Sequence, residues 1–190
     1  MRLFIALDVP DAWRDAAAAQ QDTLASTLPE GARRSLRPVR AELMHLTLRF
    51  LGEIDEQDLE PLQEALEDVP PFTAGLTLQR AGTFGPAPRT GVVWLGVGGD
   101  LAALGGIAIG VESAVRRAGL PGDDRPFAAH LTLARLDRRA SAGDRSAVAA
   151  AVRALPAPLP LPFLAGEIVL VRSYLEGPSP RYVVLSHHPS

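Results

Sequence analysis

An identical tetrapeptide in two places constrains the fold of this chain more than any other feature of its sequence. The sequence HLTL at residues 45–48 recurs at residues 130–133, nearly half a chain length away. A short loop precedes each copy, and an apolar, strand-like run follows it. A repeat of this length is typical of an internal duplication into two similar lobes, and it argues against a solenoid of short repeats.

Strand periodicity gives the two copies a common geometry. Side chains at positions i and i+2 of a strand point to the same face, so the histidine and the threonine of each copy share one face. The leucines share the other face and are expected to be buried. If a pseudo-twofold axis relates the lobes, two polar faces meet across a central cleft, one made of His45 and Thr47 and the other of His130 and Thr132.

Strands and helices are interspersed along the rest of the chain, and its last two strands are predicted to form a hairpin. We therefore expect an α+β fold with two lobes, mainly antiparallel sheets and outer helices. All 190 residues are expected to form one domain made of these lobes. Strands are predicted at residues 2–9, 72–79, 92–97, 130–134, 167–175 and 181–187, and helices at residues 11–28, 58–68, 101–118 and 141–155.

Glycine and proline mark the segments that are predicted to be irregular. Residues 82–91 carry turn residues throughout, and residues 177–180 are expected to join the last two strands. The proline-rich residues 155–162 are compatible only with an edge or a linking segment. His187 and His188, close to the C-terminus, are expected to lie in a frayed tail.

Composition excludes several classes of protein. Hydrophobic residues make up 47% of the chain and charged residues 22%, as is usual for a soluble globular protein and unlike a disordered one. Without cysteine there is no disulfide scaffold, thiolate zinc site or cysteine nucleophile. No apolar run approaches the roughly 18 residues that span a bilayer, and the apolar stretch at residues 3–7 is too short for a signal peptide. We expect a cytoplasmic monomer with no membrane attachment.

The basic residues of this chain are all arginines. There are nineteen of them, and the formal net charge is -3, so the surface as a whole does not attract polyanions. The densest basic stretch contains Arg33, Arg34, Arg37 and Arg40. This stretch is either a solvated loop or a rim that contacts the phosphates of a bound nucleic acid.

Two histidines and two threonines, with no cysteine and no obvious carboxylate partner, suit a specific chemistry. Two imidazoles titrate near neutral pH and can act as base and acid in one step, and two hydroxyls can donate hydrogen bonds to non-bridging oxygens. This set fits an in-line displacement at phosphorus without a metal ion. The residues alone leave open which histidine is the acid and which is the base.

The paired motifs resemble those of the 2H phosphoesterases, which are defined by two His-x-Thr motifs. The longer sequences are similar to the RNA 2',3'-cyclic phosphodiesterase branch, also called the 2'-5' RNA ligase family. The resemblance covers nearly the whole chain. It rests on residues 43–53 and 127–135 around the motifs, on residues 2–7, 84–86, 93–97 and 168–175, and on Tyr182.

The resemblance implies hydrolysis of RNA 2',3'-cyclic phosphate ends to 2'-phosphates, with no metal or cofactor, and reversible 2'-5' joining of RNA ends. The partners it implies are such RNA ends or small nucleotides. It makes His45 the proton donor and His130 the proton acceptor. It also gives Arg135 a phosphate contact and leaves Phe50, at the matching position after the first motif, as a base-stacking surface. An unbroken strand would turn Arg135 away from His130, so the strand must end or bend near Ala134 if Arg135 contacts the phosphate.

Two other functions are compatible with the sequence. The first is binding of RNA or nucleotides in the same cleft with little turnover, although both motifs keep their histidine and their threonine. The second is a metal-dependent hydrolase that uses His45 and His130 as ligands, and a chelator would abolish its activity.

Overall fold

The structure is a computed structural model that describes residues 1–176 and 179–188. Within these residues, nine strands and five α-helices are interspersed along the chain. The strands are β1 (Arg2–Asp8), β2 (Leu36–Pro38), β3 (His45–Glu53), β4 (Ala74–Phe84), β5 (Val92–Gly99), β6 (His130–Leu136), β7 (Pro162–Ala165), β8 (Ile168–Tyr174) and β9 (Arg181–His188). The helices are α1 (Asp11–Thr27), α2 (Glu30–Ser35), α3 (Leu59–Glu67), α4 (Leu101–Arg117) and α5 (Ala142–Ala154).

The strands form two antiparallel sheets, and each sheet holds one copy of the repeated tetrapeptide. The first sheet has the strand order β3-β1-β8-β9, and the second has the order β2-β6-β5-β4-β7. The motif strands β3 and β6 contact each other where the two sheets meet. The α+β class, the two lobes and the antiparallel pairing agree with the sequence-based predictions.

The duplication is visible in the connectivity of the two lobes. In each sheet a strand is followed by a helix of 17 residues and later by the motif strand, which pairs antiparallel with the first strand. These two units are β1-α1-β3 and β5-α4-β6. The spacing of the tetrapeptides therefore reflects two copies of one supersecondary unit.

The long helices of the two units connect the lobes. Helix α1 follows β1 but packs against β6 of the other sheet, while α4 follows β5 and packs against both β3 of the other sheet and β4 of its own. The Gln21 side chain of α1 donates hydrogen bonds to the carbonyl oxygens of Val39 and Leu133, at 2.8 Å and 2.7 Å. The first sheet combines N-terminal strands with the C-terminal hairpin. The lobes are therefore not the two halves of the sequence.

Burial of the motif leucines anchors both motif strands. Leu46, Leu48, Leu131 and Leu133 are all buried in one continuous hydrophobic core. That core includes apolar side chains from both sheets and from α1, α3, α4 and α5. The polar face of each motif strand is thereby directed away from the core.

Two predicted loops are wrong in part. Residues 82–84, predicted to be a turn, belong to β4 and pair with β5. Gly82 serves close packing there, because a Cβ atom would lie 2.3 Å from the ring of Trp94. Residues 33–40 were expected to be a loop, but α2 and β2 take up most of this segment, and β2 pairs with β6.

The prediction of a frayed C-terminal tail is wrong for both histidines. His187 and His188 lie in β9, which pairs with β8. His188 is buried, with Nε2 2.8 Å from the Ser186 hydroxyl and Nδ1 3.0 Å from a carboxylate oxygen of Glu67 in α3. Alternation along β9 turns His188 inward, while His187 is exposed. The predicted pairing of the last two strands, β8 and β9, is confirmed. Of the segment expected to join them, residues 177–180, residues 177–178 lie outside the described residues.

Residues 155–161 form no regular element, as predicted, and β7 after them is an edge strand. In the part of the chain that the structure describes, no helix has both the length and the apolar character needed to cross a membrane.

Candidate active site

Side chains of both tetrapeptide motifs line one cleft between the sheets. This catalytic cleft has a volume of about 740 Å³. The histidine and the threonine of each motif line it, as the strand periodicity predicted. The other side chains in its wall include Arg2, Phe4, Arg37, Phe50, Arg125, Arg135 and Tyr182.

A backbone carbonyl orients each imidazole in the same way. Nδ1 of His45 lies 2.8 Å from the carbonyl oxygen of Leu43, and Nδ1 of His130 lies 2.7 Å from that of Ala128. A carbonyl oxygen can only accept a hydrogen bond, so Nδ1 carries a proton in both rings. The other nitrogen of each ring, Nε2, is therefore free to give or take a proton.

A β-bulge brings Arg135 into the catalytic cleft. Val93 of β5 pairs with Ala134, whereas its neighbour Trp94 pairs with Thr132, so Leu133 is an extra residue in β6. The extra residue resets the alternation of side chains, and Leu133 and Ala134 are both buried. Arg135 then lines the same cleft as His130. The bulge lies next to Ala134, near which the strand was predicted to end or bend if Arg135 contacts the phosphate.

The first motif strand carries a matching bulge. Ile5 of β1 pairs with Arg49 and Ala6 pairs with Thr47, so Leu48 is the extra residue. Phe50, five positions after its histidine as Arg135 is after His130, lines the cleft and is 41% exposed. The Arg2 guanidinium lies 4.7 Å from the centre of the Phe50 ring and covers one of its faces.

The two imidazoles differ in their charged surroundings. Burial lowers the pKa of both His45 and His130 below the usual value for histidine, and the positive charge of Arg135 lowers both further. The hydrogen-bonded carbonyls of Leu43 and Ala128 raise the pKa of His45 and of His130, respectively, and offset part of this effect. The Asp8 carboxylate also raises the pKa of His45. Among the described residues, no carboxylate raises the pKa of His130 in the same way. The protonated form is therefore favoured by a negative charge at His45 and not at His130.

Aromatic rings hold the imidazoles in place. Phe4 stacks on His45 with ring centroids 4.4 Å apart, and Tyr182 meets His45 edge-on at 5.5 Å. Phe84 meets His130 edge-on at 4.8 Å. Burial raises the pKa of Tyr182, which keeps its hydroxyl protonated and able to donate a hydrogen bond into the cleft. The family resemblance noted in the sequence included these three aromatic positions. The His-x-Thr motifs predicted no role for them, because the rings come next to the histidines only when the strands pair.

Comparison with known proteins agrees with this site. A family model described as LigT-like phosphoesterase matches residues 13–94. A Thermus thermophilus protein called RNA 2',3'-cyclic phosphodiesterase is 32% identical over 200 residues, covering 97% of this chain and 88% of the relative. The chain belongs to the LigT-like phosphoesterase family.

This LigT-like phosphoesterase is also similar to a second relative and to a solved structure. A Geobacillus stearothermophilus protein, also called RNA 2',3'-cyclic phosphodiesterase, is 35% identical over 153 residues. That match covers 80% of this chain but only 46% of the relative's length. The crystal structure of E. coli LigT complexed with 3'-AMP is 28% identical, with a TM-score of 0.76, and the match covers 99% of this chain and 97% of that chain.

The four clustered arginines of this LigT-like phosphoesterase are not one surface. Arg37 lies in β2 opposite Arg135 and lines the catalytic cleft, with an ion pair to Asp137 at 2.9 Å. The other three are exposed or partly exposed and do not line the cleft. Arg34 pairs with Glu30 and Arg40 with Glu42, while Arg33 lies beside Arg34 in α2. Of the four arginines of the predicted rim, Arg37 is the one that lines the cleft itself.

The donor groups of the site suit proton transfer better than metal binding. Among residues 1–176 and 179–188, no three side chains of His, Cys, Asp or Glu come together in a way that could hold a metal ion. Asp123 and Asp124, in the loop before the second motif, contact arginines instead. The Arg125 and Arg49 guanidinium groups hold the pKa of the Asp123 carboxyl well below its usual range.

Proposed function

We propose that this chain is an RNA 2',3'-cyclic phosphodiesterase, which hydrolyses 2',3'-cyclic phosphate ends to 2'-phosphates without a metal ion. The observation that carries this proposal is the pair of imidazoles in one cleft, each with Nδ1 held by a carbonyl and Nε2 free. An in-line displacement needs a base on one side of the phosphorus and an acid on the other, and this arrangement supplies both. The names of the relatives support the same reaction.

In the proposed reaction, Nε2 of neutral His130 takes a proton from water, and the water oxygen attacks phosphorus. The bond from phosphorus to O3' breaks, and O3' takes the proton from Nε2 of protonated His45. The products are a 2'-phosphate and a free 3'-hydroxyl. The assignment of His45 as the donor is supported by the Asp8 carboxylate, which favours the protonated form of His45 but does not act on His130.

The remaining polar groups of the cleft are proposed to bind the phosphate. Thr47 and Thr132 donate hydrogen bonds to non-bridging oxygens, and the Arg135 guanidinium neutralises the charge that develops on them. Phe50 offers the face that Arg2 leaves uncovered to a nucleobase. Arg37, at the rim of the cleft, contacts a neighbouring phosphate.

The same geometry supports joining as well as hydrolysis. If a 5'-hydroxyl replaces water beside His130, the same displacement forms a 2'-5' phosphodiester, and the reaction can run in either direction. All the proposed groups come from one chain, so we propose a single catalytic domain of two lobes that acts as a monomer on RNA ends or small nucleotides in the cytoplasm.

The test is incubation of a short RNA ending in a 2',3'-cyclic phosphate with excess EDTA, followed by identification of the phosphate isomer. We expect a 2'-phosphate to form at the same rate with and without EDTA. Binding of the RNA without any product would support the binding-only function instead. Loss of activity in EDTA, restored by a divalent metal, would replace the two-histidine mechanism with metal-assisted hydrolysis.

A further inference from the structure

A second cavity adjoins the catalytic cleft on the side of α4. It has a volume of about 870 Å³, within the range of about 300–1,000 Å³ that is typical of small-molecule sites. Its floor is one stripe of α4 at helical spacing, made of Leu101, Leu104, Gly105, Ala108 and Ile109. Leu101 and Ile109 are exposed there, so apolar surface of α4 faces solvent next to the active site. We call this cavity the α4 groove.

Aromatic side chains form the walls of the α4 groove. Phe50 lines both the groove and the catalytic cleft, and Phe84 lines the groove beside His130; both are exposed by about two fifths. Phe127, from the loop before the second motif, lines it as well. The rings of Phe84 and Phe127 beside an apolar floor suit a planar nucleobase, which stacks without regard to sequence.

The charges at the end of the α4 groove favour a neutral ligand. Glu112 and Asp123 line the groove, and Arg49 pairs with both of them, at 2.7 Å and 3.6 Å. Asp123 also pairs with Arg125. Because these two carboxylates balance the charges of Arg49 and Arg125, which also line the groove, there is no excess positive charge to attract several phosphates. A nucleoside, which is uncharged, fits the groove better than a continuing RNA backbone.

The position of the α4 groove relative to the two histidines gives the ligand a role. His130 and Thr47 line the groove, whereas His45 and Thr132 do not. In the proposed mechanism His130 takes the proton from the attacking group, so the groove opens on the side of the attack. A hydroxyl of a ligand in the groove can therefore take the place that the attacking water has in the proposed hydrolysis, next to Nε2 of His130.

We infer that the α4 groove binds the nucleoside whose 5'-hydroxyl attacks the cyclic phosphate. This assignment rests on the proposed function and on the role of His130 within it. The 5'-hydroxyl gives its proton to Nε2 of His130, its oxygen bonds to phosphorus, and the bond to O3' breaks as O3' takes the proton of His45. A 2'-5' linkage results, and its cleavage by the reverse route leaves the departing nucleoside in the groove.

Two neighbouring glycines of α4 provide a matched pair of variants. A Cβ atom added at Gly105 or at Gly106 would have no atom within 4 Å, so both positions accept a side chain without a clash. Gly105 lines the groove, whereas Gly106 is exposed outside it. Gly105→Leu should therefore fill the groove, and Gly106→Leu should make the same change in helix propensity without filling it.

The experiment compares two substrates in the wild type and in both variants. Hydrolysis of adenosine 2',3'-cyclic monophosphate needs only the catalytic cleft, and cleavage of 2'-5'-linked adenylyl-adenosine also needs the groove. We expect Gly105→Leu to lower kcat/KM for the dinucleotide by roughly tenfold or more, the scale of one lost stacked base. Hydrolysis of the cyclic monophosphate should stay within about twofold of the wild type, and Gly106→Leu should leave both reactions unchanged.

Three results would overturn the assignment of the α4 groove while leaving the proposed function intact. Gly105→Leu could cleave the dinucleotide as fast as the wild type, or it could lose both activities equally while remaining folded. The wild type could also hydrolyse the cyclic monophosphate and fail to cleave the dinucleotide. Failure of the wild type on both substrates would instead overturn the proposed function itself.

Discussion

Thr132 and Arg135 line the same cleft, although an odd number of positions separates them within one strand. The extra residue Leu133 makes this possible, because β5 pairs with Thr132 and then with Ala134. Without that bulge, Arg135 would point to the opposite face of the sheet, into the core. The bulge therefore places the Arg135 guanidinium on the same face as Thr132, and it adds to the positive charge of Arg2, Arg37 and Arg125 in the wall of the cleft.

Arg135→Ala should impair hydrolysis of long and short substrates equally. We expect kcat/KM to fall about 10²-fold for both a mononucleotide 2',3'-cyclic phosphate and a longer RNA, since the lost contact is to the reacting phosphate. Steady-state kinetics on the two substrates provide the measurement. Arg138→Ala is the matched control, because Arg138 is exposed beyond the end of the same strand and lines neither cavity. A loss confined to long RNA would place Arg135 at a distal phosphate.

The other clustered arginines should divide into two groups. Arg37→Ala should weaken turnover of RNA and leave a mononucleotide 2',3'-cyclic phosphate nearly unaffected, since Arg37 lines the rim of the catalytic cleft and is proposed to contact a neighbouring phosphate. Changing Arg33, Arg34 and Arg40 together to alanine should weaken only the binding of long RNA and should lower its salt dependence by roughly 0.7 in log–log slope for each lost contact. Binding titrations over a range of salt concentrations measure this slope. An unchanged slope would show that these three residues do not contact RNA.

His45→Ala and His130→Ala should each lower hydrolysis of the cyclic phosphate by roughly 10²–10⁴-fold, the usual contribution of a positioned acid or base. The double variant should lose little more than either single one, because the two groups act in one step. Circular dichroism should show that the fold is retained, since both side chains face the cleft rather than the core. Near-normal turnover in either single variant would rule out the two-histidine mechanism.

Turnover should follow a bell-shaped pH profile that lies on the acid side of the usual histidine pKa, because burial lowers the pKa of both imidazoles. The apparent values belong to the pair. In Asp8→Asn the pKa of His45 should fall further, since the Asp8 carboxylate raises it. The donor then loses its proton at a lower pH, so the alkaline limb should move to lower pH while the acid limb stays.

Asp11→Asn is the control for this shift. Asp11 pairs with Arg14, as Asp8 does, but it does not act on His45. Its pH profile should match that of the wild type. Movement of the acid limb in Asp8→Asn would exchange the proposed roles of the two histidines.

The C-terminal histidines should differ in their contribution to stability. His188→Ala should lower the free energy of unfolding by about 1–3 kcal/mol, since it removes a buried ring that contacts Ser186 and Glu67. His187→Ala should change it by no more than about 0.5 kcal/mol, because His187 is exposed and its ion pair with Glu167 lies at the surface. Urea denaturation measures both values. Equal values for the two variants would contradict the burial of His188.

Much of the fold and the core of the site could be predicted because they depend on local patterns. Helix α1 and helix α4 lie within a residue of their predicted bounds, since proline, glycine and apolar spacing act within a few residues. The pairing of histidine and threonine on one face of each motif strand followed from the period of a strand. The repeat itself predicted two related lobes.

Tertiary structure alone decided the features that depend on a distant partner. Which face Arg135 occupies is set by the register of β6 against β5, and Gly82 lies in a strand because β4 pairs with β5 there, with the Trp94 ring packed against it. His188 is buried because β9 pairs with β8 beside α3. Helix α1 packs in the lobe opposite the strand that precedes it. Local sequence determines the period and the ends of an element, but register and packing depend on long-range contacts, which form only when the whole chain folds.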